Sequence, residues 1–124
     1  METRALHLLA ELHGCEPERL NDPEWLKRLM LAAAERAKAT VLAEVTQRYS
    51  PHGVTCVLVL AESHFSLHTW PEAGYAAADF YTCGALEPEL ALGLLREGLA
   101  ATHVEQLTVQ RGRGQASPLR ILGS

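Results

Sequence analysis

The chain has 124 residues, 48% of them hydrophobic and 21% charged, which suits one compact domain with one core and excludes a disordered chain. A formal net charge of -4 argues against nucleic acid as a partner. Arg111, Arg113 and Arg120 gather late in the chain, but no aromatic residues interleave with them to stack bases, so they read as a solvated edge.

Charges interrupt every apolar stretch long before the ~20 residues that would span a bilayer. The start, METRALHLLAELHGCE, lacks the basic flank, long apolar run and small-residue cleavage site of a signal peptide, so cytoplasm is the expected compartment. Cys15, Cys56 and Cys83 form no C-x-x-C pair, which points to neither a disulfide framework nor a zinc knuckle. A domain of this size has a limited interior, and a site needing much enclosure is expected to borrow walls from a second copy.

The elements follow in chain order. Ala5 to Leu12 is short and apolar and ends at His13-Gly14, which predicts a first strand. Asn21-Asp22-Pro23 then opens a helix, since either polar residue can cap and proline is tolerated in a first turn. Leu26, Leu29, Met30, Ala33 and Ala37 share one face of that helix. Thr40 to Tyr49 predicts a strand, Ser50-Pro51-His52-Gly53 a turn, and Val54 to Leu60 a central strand.

His64 to Trp70 and Tyr75 to Cys83 predict two more strands, joined through Pro71-Glu72-Ala73-Gly74 as a hairpin. Pro88 opens a second helix with Leu90, Ala91, Leu94, Leu95 and Leu99 as its apolar stripe. Val104 to Gln110 predicts a last strand, and the tail beyond it is expected to be loop-like. The order β-α-β-β-β-β-α-β, with short turns between consecutive strands, predicts an α+β two-layer sandwich: an antiparallel sheet with two helices on one face. Residues 1–124 are expected to form a single domain, whose other sheet face is either solvated or covered by a partner.

Reactive side chains crowd into Glu62-Ser-His-Phe-Ser-Leu-His-Thr-Trp-Pro-Glu72 and reappear at Asp79 and Cys83. Strand alternation puts His64, Ser66, His68 and Trp70 on one face and Phe65, Leu67 and Thr69 on the other. A metal held by His64 and His68 is disfavoured, because residues four apart on a strand lie ~13 Å apart and each ligand must come within ~2.1 Å of a zinc. A hydrolase built on a Cys83–His68 pair is geometrically possible, but no nucleophile signature accompanies it. Lone residues such as His7, His13, His52, His103, Cys15 and Cys56 are most simply structural, whereas the density of the 62–83 cluster argues for a site.

The segments Glu62-Ser63-His64, His68-Thr69-Trp70-Pro71-Glu72, Gly74-Tyr75-Ala76-Ala77 and Thr82-Cys83-Gly84 together resemble the prokaryotic S-adenosylmethionine decarboxylases. These are short, self-processing, pyruvoyl-dependent enzymes of polyamine (spermidine) synthesis. The resemblance implies that Ser63 attacks the carbonyl of Glu62 and that the chain is cut there. The products would be a β chain of residues 1–62 and an α chain of residues 63–124, the latter capped by a pyruvoyl group derived from Ser63.

His68 would take the proton lost in the elimination. Thr55 stands where the family commonly carries a serine that helps processing; it keeps the hydroxyl and adds a methyl. In the mature enzyme, the resemblance implies a Schiff base between substrate amine and pyruvoyl carbonyl, loss of carbon dioxide, and reprotonation by Cys83, since a thiol mostly keeps its proton at neutral pH. Tyr49, Phe65 and Trp70 would bind the adenosine and sulfonium of S-adenosylmethionine through their rings, and Glu72 its ribose hydroxyls. Plain packing is the competing reading of Phe65 and Trp70.

The family's site lies between two protomers, so a homodimer is implied. No metal is demanded. Other amino acids, ornithine or arginine, remain open as substrates, as does a non-catalytic homologue that never processes.

Overall fold

The computed structural model describes residues 3–83, 85–113 and 119–123. Strand β1 (Thr3–His13) alternates, burying Leu8, Ala10 and Leu12 and turning His7, Leu9 and Glu11 to the opposite face. A single helical turn, α1 (Pro17–Leu20), follows and buries Leu20; the sequence pattern did not announce it because four residues show no periodicity. Helix α2 (Pro23–Arg36) begins where expected: the Asp22 carboxylate accepts from the Trp25 amide at 3.1 Å, and Pro23 fills the first position. Its stripe of Leu26, Leu29, Met30 and Ala33, with Ala37 beyond its end, is buried throughout.

Strands β2 (Val41–Arg48), β3 (Val54–Leu60), β4 (Ser63–Trp70) and β5 (Tyr75–Thr82) come next. A short 3-10 turn over Pro71–Ala73 joins the last two, closed by Gly74 at φ 61°, where a Cβ would also press on the Cys15 carbonyl oxygen at 3.2 Å. Helix α3 (Pro88–Gly98) buries Ala91, Leu92 and Leu95, and Leu99 just past its end. Its apolar stripe is therefore turned from the predicted one, with Leu92 inside and Leu90 exposed. Gly98 is the point of closest approach to α2, since a Cβ there would meet Leu29 at 2.5 Å.

Strand β6 (His103–Arg113) runs three residues past the predicted end, and the chain returns as β7 (Arg120–Gly123). The tail expected as loop is thus partly strand. The reason is pairing: β1 starts at Thr3, and β6 matches it residue for residue from His13↔His103 to Thr3↔Arg113. Of that tail, residues 114–118 lie outside the described residues, as does Gly84 of the quoted motif.

The seven strands form one sheet in the order β2-β3-β4-β5-β1-β6-β7, all neighbours antiparallel. α2 and α3 cover one face, as the two-layer α+β expectation requires. Phe65 and Phe80 pack at 4.8 Å between ring centroids within that covered face, above the small residues Ala10, Ala76 and Ala78. The opposite face is open. It carries Thr55, Val57 and Val59 of β3, His64, Ser66, His68 and Trp70 of β4, and their cross-strand neighbours Tyr75, Ala77, Asp79 and Tyr81 of β5.

Candidate active site

The expected site residues fall into two groups at opposite ends of β4. At one end, β3 and β4 are joined by the tight turn of residues 61 and 62, and Ser63 opens β4 opposite Leu60 and Thr82. Ser63 has φ 149°, a region that residues with a side chain rarely adopt, so the backbone at the Glu62–Ser63 peptide is strained.

The Glu62 carbonyl oxygen accepts from the Cys83 amide at 3.3 Å and from the Cys83 thiol at 3.5 Å. The Glu62 carboxylate accepts from the Thr40 amide at 3.2 Å, and the Ala61 amide donates to the Thr40 carbonyl at 2.9 Å, so the two residues before the strained serine are each anchored to Thr40. Two donors aimed at one carbonyl oxygen are what stabilises negative charge when that carbon is attacked. Cys83 is also the exposed thiol; Cys15 and Cys56 are buried, and burial pushes the Cys15 thiol up to about 11 and raises Cys56 as well.

At the other end, Thr55 and His68 face each other across β3 and β4, with Thr55 Oγ1 3.0 Å from His68 Nδ1. The Tyr49 hydroxyl donates to Thr55 Oγ1 at 3.2 Å. These three side chains line an open cleft of about 470 Å³ together with His52, Trp70 and Glu72. Trp70 is 42% exposed and stacks on Tyr75 at 5.1 Å; Glu72 Oε1 lies 3.1 Å from His52 Nε2. Tyr49, Trp70 and Glu72 are therefore brought together. Phe65 is not: it is 2% exposed and packed in the core under the helices, so the packing reading holds for it.

Ser63 and His68 are five residues apart on one extended strand, ~17 Å at ~3.3 Å per residue. No rotamer of the His68 ring spans that gap within a protomer.

Between the two ends sits a polar hub that the sequence reading did not assemble. Asp79 accepts from Ser66, from His7 Nε2 at 2.6 Å and from His64 Nε2 at 2.9 Å. Burial pushes its carboxyl up, but the hydrogen bonds from Ser66, His7 and His64 outweigh that and hold it below the usual carboxylate range. Ser66 and Asp79 could be paired from the predicted hairpin, because Trp70↔Tyr75 puts 66 opposite 79. His7 could not, since nothing local places β1 beside β5.

The ligand atoms of His7, His64 and Asp79 lie within 4.8 Å of one another, close enough to consider a metal. Arg111 Nη1 lies 3.3 Å from His7 Nδ1 and can only donate. His7 Nδ1 therefore accepts, its proton sits on Nε2, and Nε2 donates to Asp79 instead of offering a lone pair to an ion. The trio is a hydrogen-bond hub.

Fold and site together define a two-layer α+β domain with a strained, doubly held Glu-Ser peptide at one end of a central strand and a hydroxyl-bound histidine at the other. Residues 6–112 match the S-adenosylmethionine decarboxylase family, and the chain belongs to it. Among similar proteins, the S-adenosylmethionine decarboxylase proenzyme of Caldicellulosiruptor saccharolyticus is 42% identical over 113 residues, 90% of this chain and 91% of that one. The proenzyme of the same name from Parasynechococcus marenigrum is 49% identical over 96 residues, 77% of this chain and 75% of that one. The crystal structure of the adenosylmethionine decarboxylase from Aquifex aeolicus superposes with a TM-score of 0.83 at 32% identity, covering 97% of this chain and all of that one.

Proposed function

We infer that this protein is the precursor of an S-adenosylmethionine decarboxylase that cuts itself between Glu62 and Ser63 and works as a homodimer with shared sites. The observation that carries the reading is the Glu62–Ser63 peptide, strained at Ser63 and with its carbonyl oxygen held by both donors of Cys83.

The self-cleavage uses residues already in place. Ser63 Oγ adds to the Glu62 carbon, and the charge on oxygen falls between the Cys83 amide and thiol. Collapse breaks the peptide C–N bond and leaves an ester, with the amine taking a proton. A base then removes the Ser63 Cα proton, the Cβ–O bond breaks, and Glu62 departs as a carboxylate. Hydrolysis consumes one water and releases ammonia, leaving a pyruvoyl group at the head of residues 63–124. The strained φ at Ser63 is relieved as its Cα becomes planar.

The base is His68, supplied by the second copy, because ~17 Å separates the two residues within one. A face-to-face dimer fits this need. The open sheet face exposes Leu9, Val45, Val59 and Ile121, an apolar surface that a partner sheet would cover. Once formed, the pyruvoyl carbonyl supplies an electron sink for loss of the substrate carboxylate. Cys83, beside the cut, is placed to return a proton. Tyr49 and Trp70 offer rings to the adenosine and sulfonium, and Glu72 accepts hydrogen bonds from the ribose. Among the described residues no helix is long and apolar enough to cross a membrane, and cytoplasm suits a supplier of aminopropyl groups for polyamine synthesis.

An intact mass spectrum of the denatured protein after long incubation tests the first step. Two species, residues 1–62 and a pyruvoyl-capped 63–124, are expected, with a single uncut chain for Ser63→Ala. Carbon dioxide released from carboxyl-labelled S-adenosylmethionine, but not from ornithine or arginine, tests the second. Activity retained in Ser63→Ala would overturn the reading.

A further inference from the structure

The cleft end of β4 contains a chain of three groups whose proton order matters. His68 has one ring nitrogen engaged, Nδ1, by Thr55 Oγ1 at 3.0 Å; Nε2 is the nitrogen left for chemistry. The Thr55 hydroxyl has one proton and can accept as well as donate. Tyr49 donates to it at 3.2 Å, which occupies a Thr55 lone pair and sends the Thr55 proton toward His68 Nδ1. In that order Nδ1 accepts, and the ring proton sits on Nε2.

A base at Nε2 needs the opposite order: Nδ1–H donates to Thr55, and Thr55 donates to the Tyr49 oxygen. Reversal turns the two hydroxyl protons and moves the ring proton from Nε2 to Nδ1 by exchange with water at the open cleft, and no heavy atom moves. The Tyr49 side of the chain is half-exposed, so its own proton can turn to solvent. Thr55 is β-branched and lies on a strand, so its hydroxyl is held in few rotamers and stays between its two partners.

We propose that the Tyr49 hydroxyl is a positioning residue for self-cleavage, acting through Thr55 to set which nitrogen of His68 carries the ring proton. This rests on the reading of His68 as the processing base, and it gives the Tyr49 hydroxyl a task separate from that of the Tyr49 ring against substrate.

Tyr49→Phe keeps the ring and removes the hydroxyl. Precursor cleavage is expected to quicken roughly fivefold, the rate equivalent of about 1 kcal/mol, because the lost donor no longer holds the His68 proton on Nε2. In a Thr55→Ala background the same substitution should have no further effect, and in Thr55→Ser, which keeps the hydroxyl, the full effect should return. Nitrogen NMR of the His68 ring in the uncleavable Ser63→Ala chain should show the tautomer populations shift when Tyr49→Phe is added.

Wild-type or slower cleavage in Tyr49→Phe, an equal change in the Thr55→Ala background, or unchanged His68 nitrogen shifts would each overturn the proposal. A wild-type chain that never cleaves would instead overturn the reading of function, and the NMR comparison would still decide the Tyr49 question.

Discussion

The two ends of β4 are built in different ways. The Ser63 end works through backbone: an unfavourable φ, an amide and a thiol on one carbonyl, and a side chain tied to the Thr40 amide. The His68 end works through side chains: two hydroxyls and an imidazole in series, open to a cleft. On the proposed reading, the first end holds the bond to be cut without His68 beside it, and the second holds His68 without that bond. On that reading, each end would become useful only when another copy brings its opposite, and strand length would set the division of labour.

Putting the two defects on different chains tests this division directly. Ser63→Ala and His68→Ala are each expected to stay uncut alone. Mixed, the His68→Ala chain should be cut, because its Ser63 meets the His68 of the other chain; the Ser63→Ala chain should stay intact. Mass spectrometry of co-expressed, differently tagged chains reads this directly. No cleavage in the mixture would place the base within the same protomer.

A smaller effect separates the two roles proposed for Cys83. Cys83→Ala keeps the backbone donor to Glu62, so cutting should continue at a reduced rate, while kcat for decarboxylation drops by about a hundredfold or more for want of a proton donor. Equal losses in both steps would merge the two roles.

The hub between the ends should affect stability more than chemistry. The Asp79 carboxyl is held below its ordinary value, so its contribution is present above the unfolded value of about 4 and is lost as pH falls through the folded one. Asp79→Asn should therefore lower stability by about 1–3 kcal/mol at neutral pH. The difference from wild type should shrink in acid, as read by urea unfolding of the uncleavable chain at several pH values. The mildest test is alkylation of the native protein: Cys83 should react first, with Cys15 and Cys56 protected by burial.

Much of the fold was legible because its signals are local. The Asp22-Pro23 cap, the α2 stripe and the hairpin through Pro71–Gly74 each depend on neighbours in sequence. The hairpin also fixes the Ser66–Asp79 pair. The placement of β1 between β5 and β6 is a long-range pairing, so the association of His7 with Asp79 could not be read from the chain. The α3 stripe differs from the expected one at Leu90 and Leu92, because leucines at 90, 92 and 94 look alike until the sheet chooses among them. Phe65 could be sorted by strand alternation alone: it faces away from His64 and His68, and the core takes it. The separation of Ser63 from His68 was implicit in their numbering once β4 was recognised as extended.

The position of the turn between β3 and β4 has a consequence for how the molecule is made. A cut there would leave β1, β2 and β3 in one fragment and β4 to β7 in the other, and the sheet order interleaves them, with β1 lying between β5 and β6. The fragments would be locked together along three ladders, β3 with β4, β5 with β1 and β1 with β6. Such an arrangement assembles easily while the strands share one chain and a short turn. From separate pieces it must be found by diffusion and insertion of a middle strand. Maturation would thus work as a ratchet: the chain folds before it is cut, and a mature molecule, once fully unfolded, has lost the connection that guided it home.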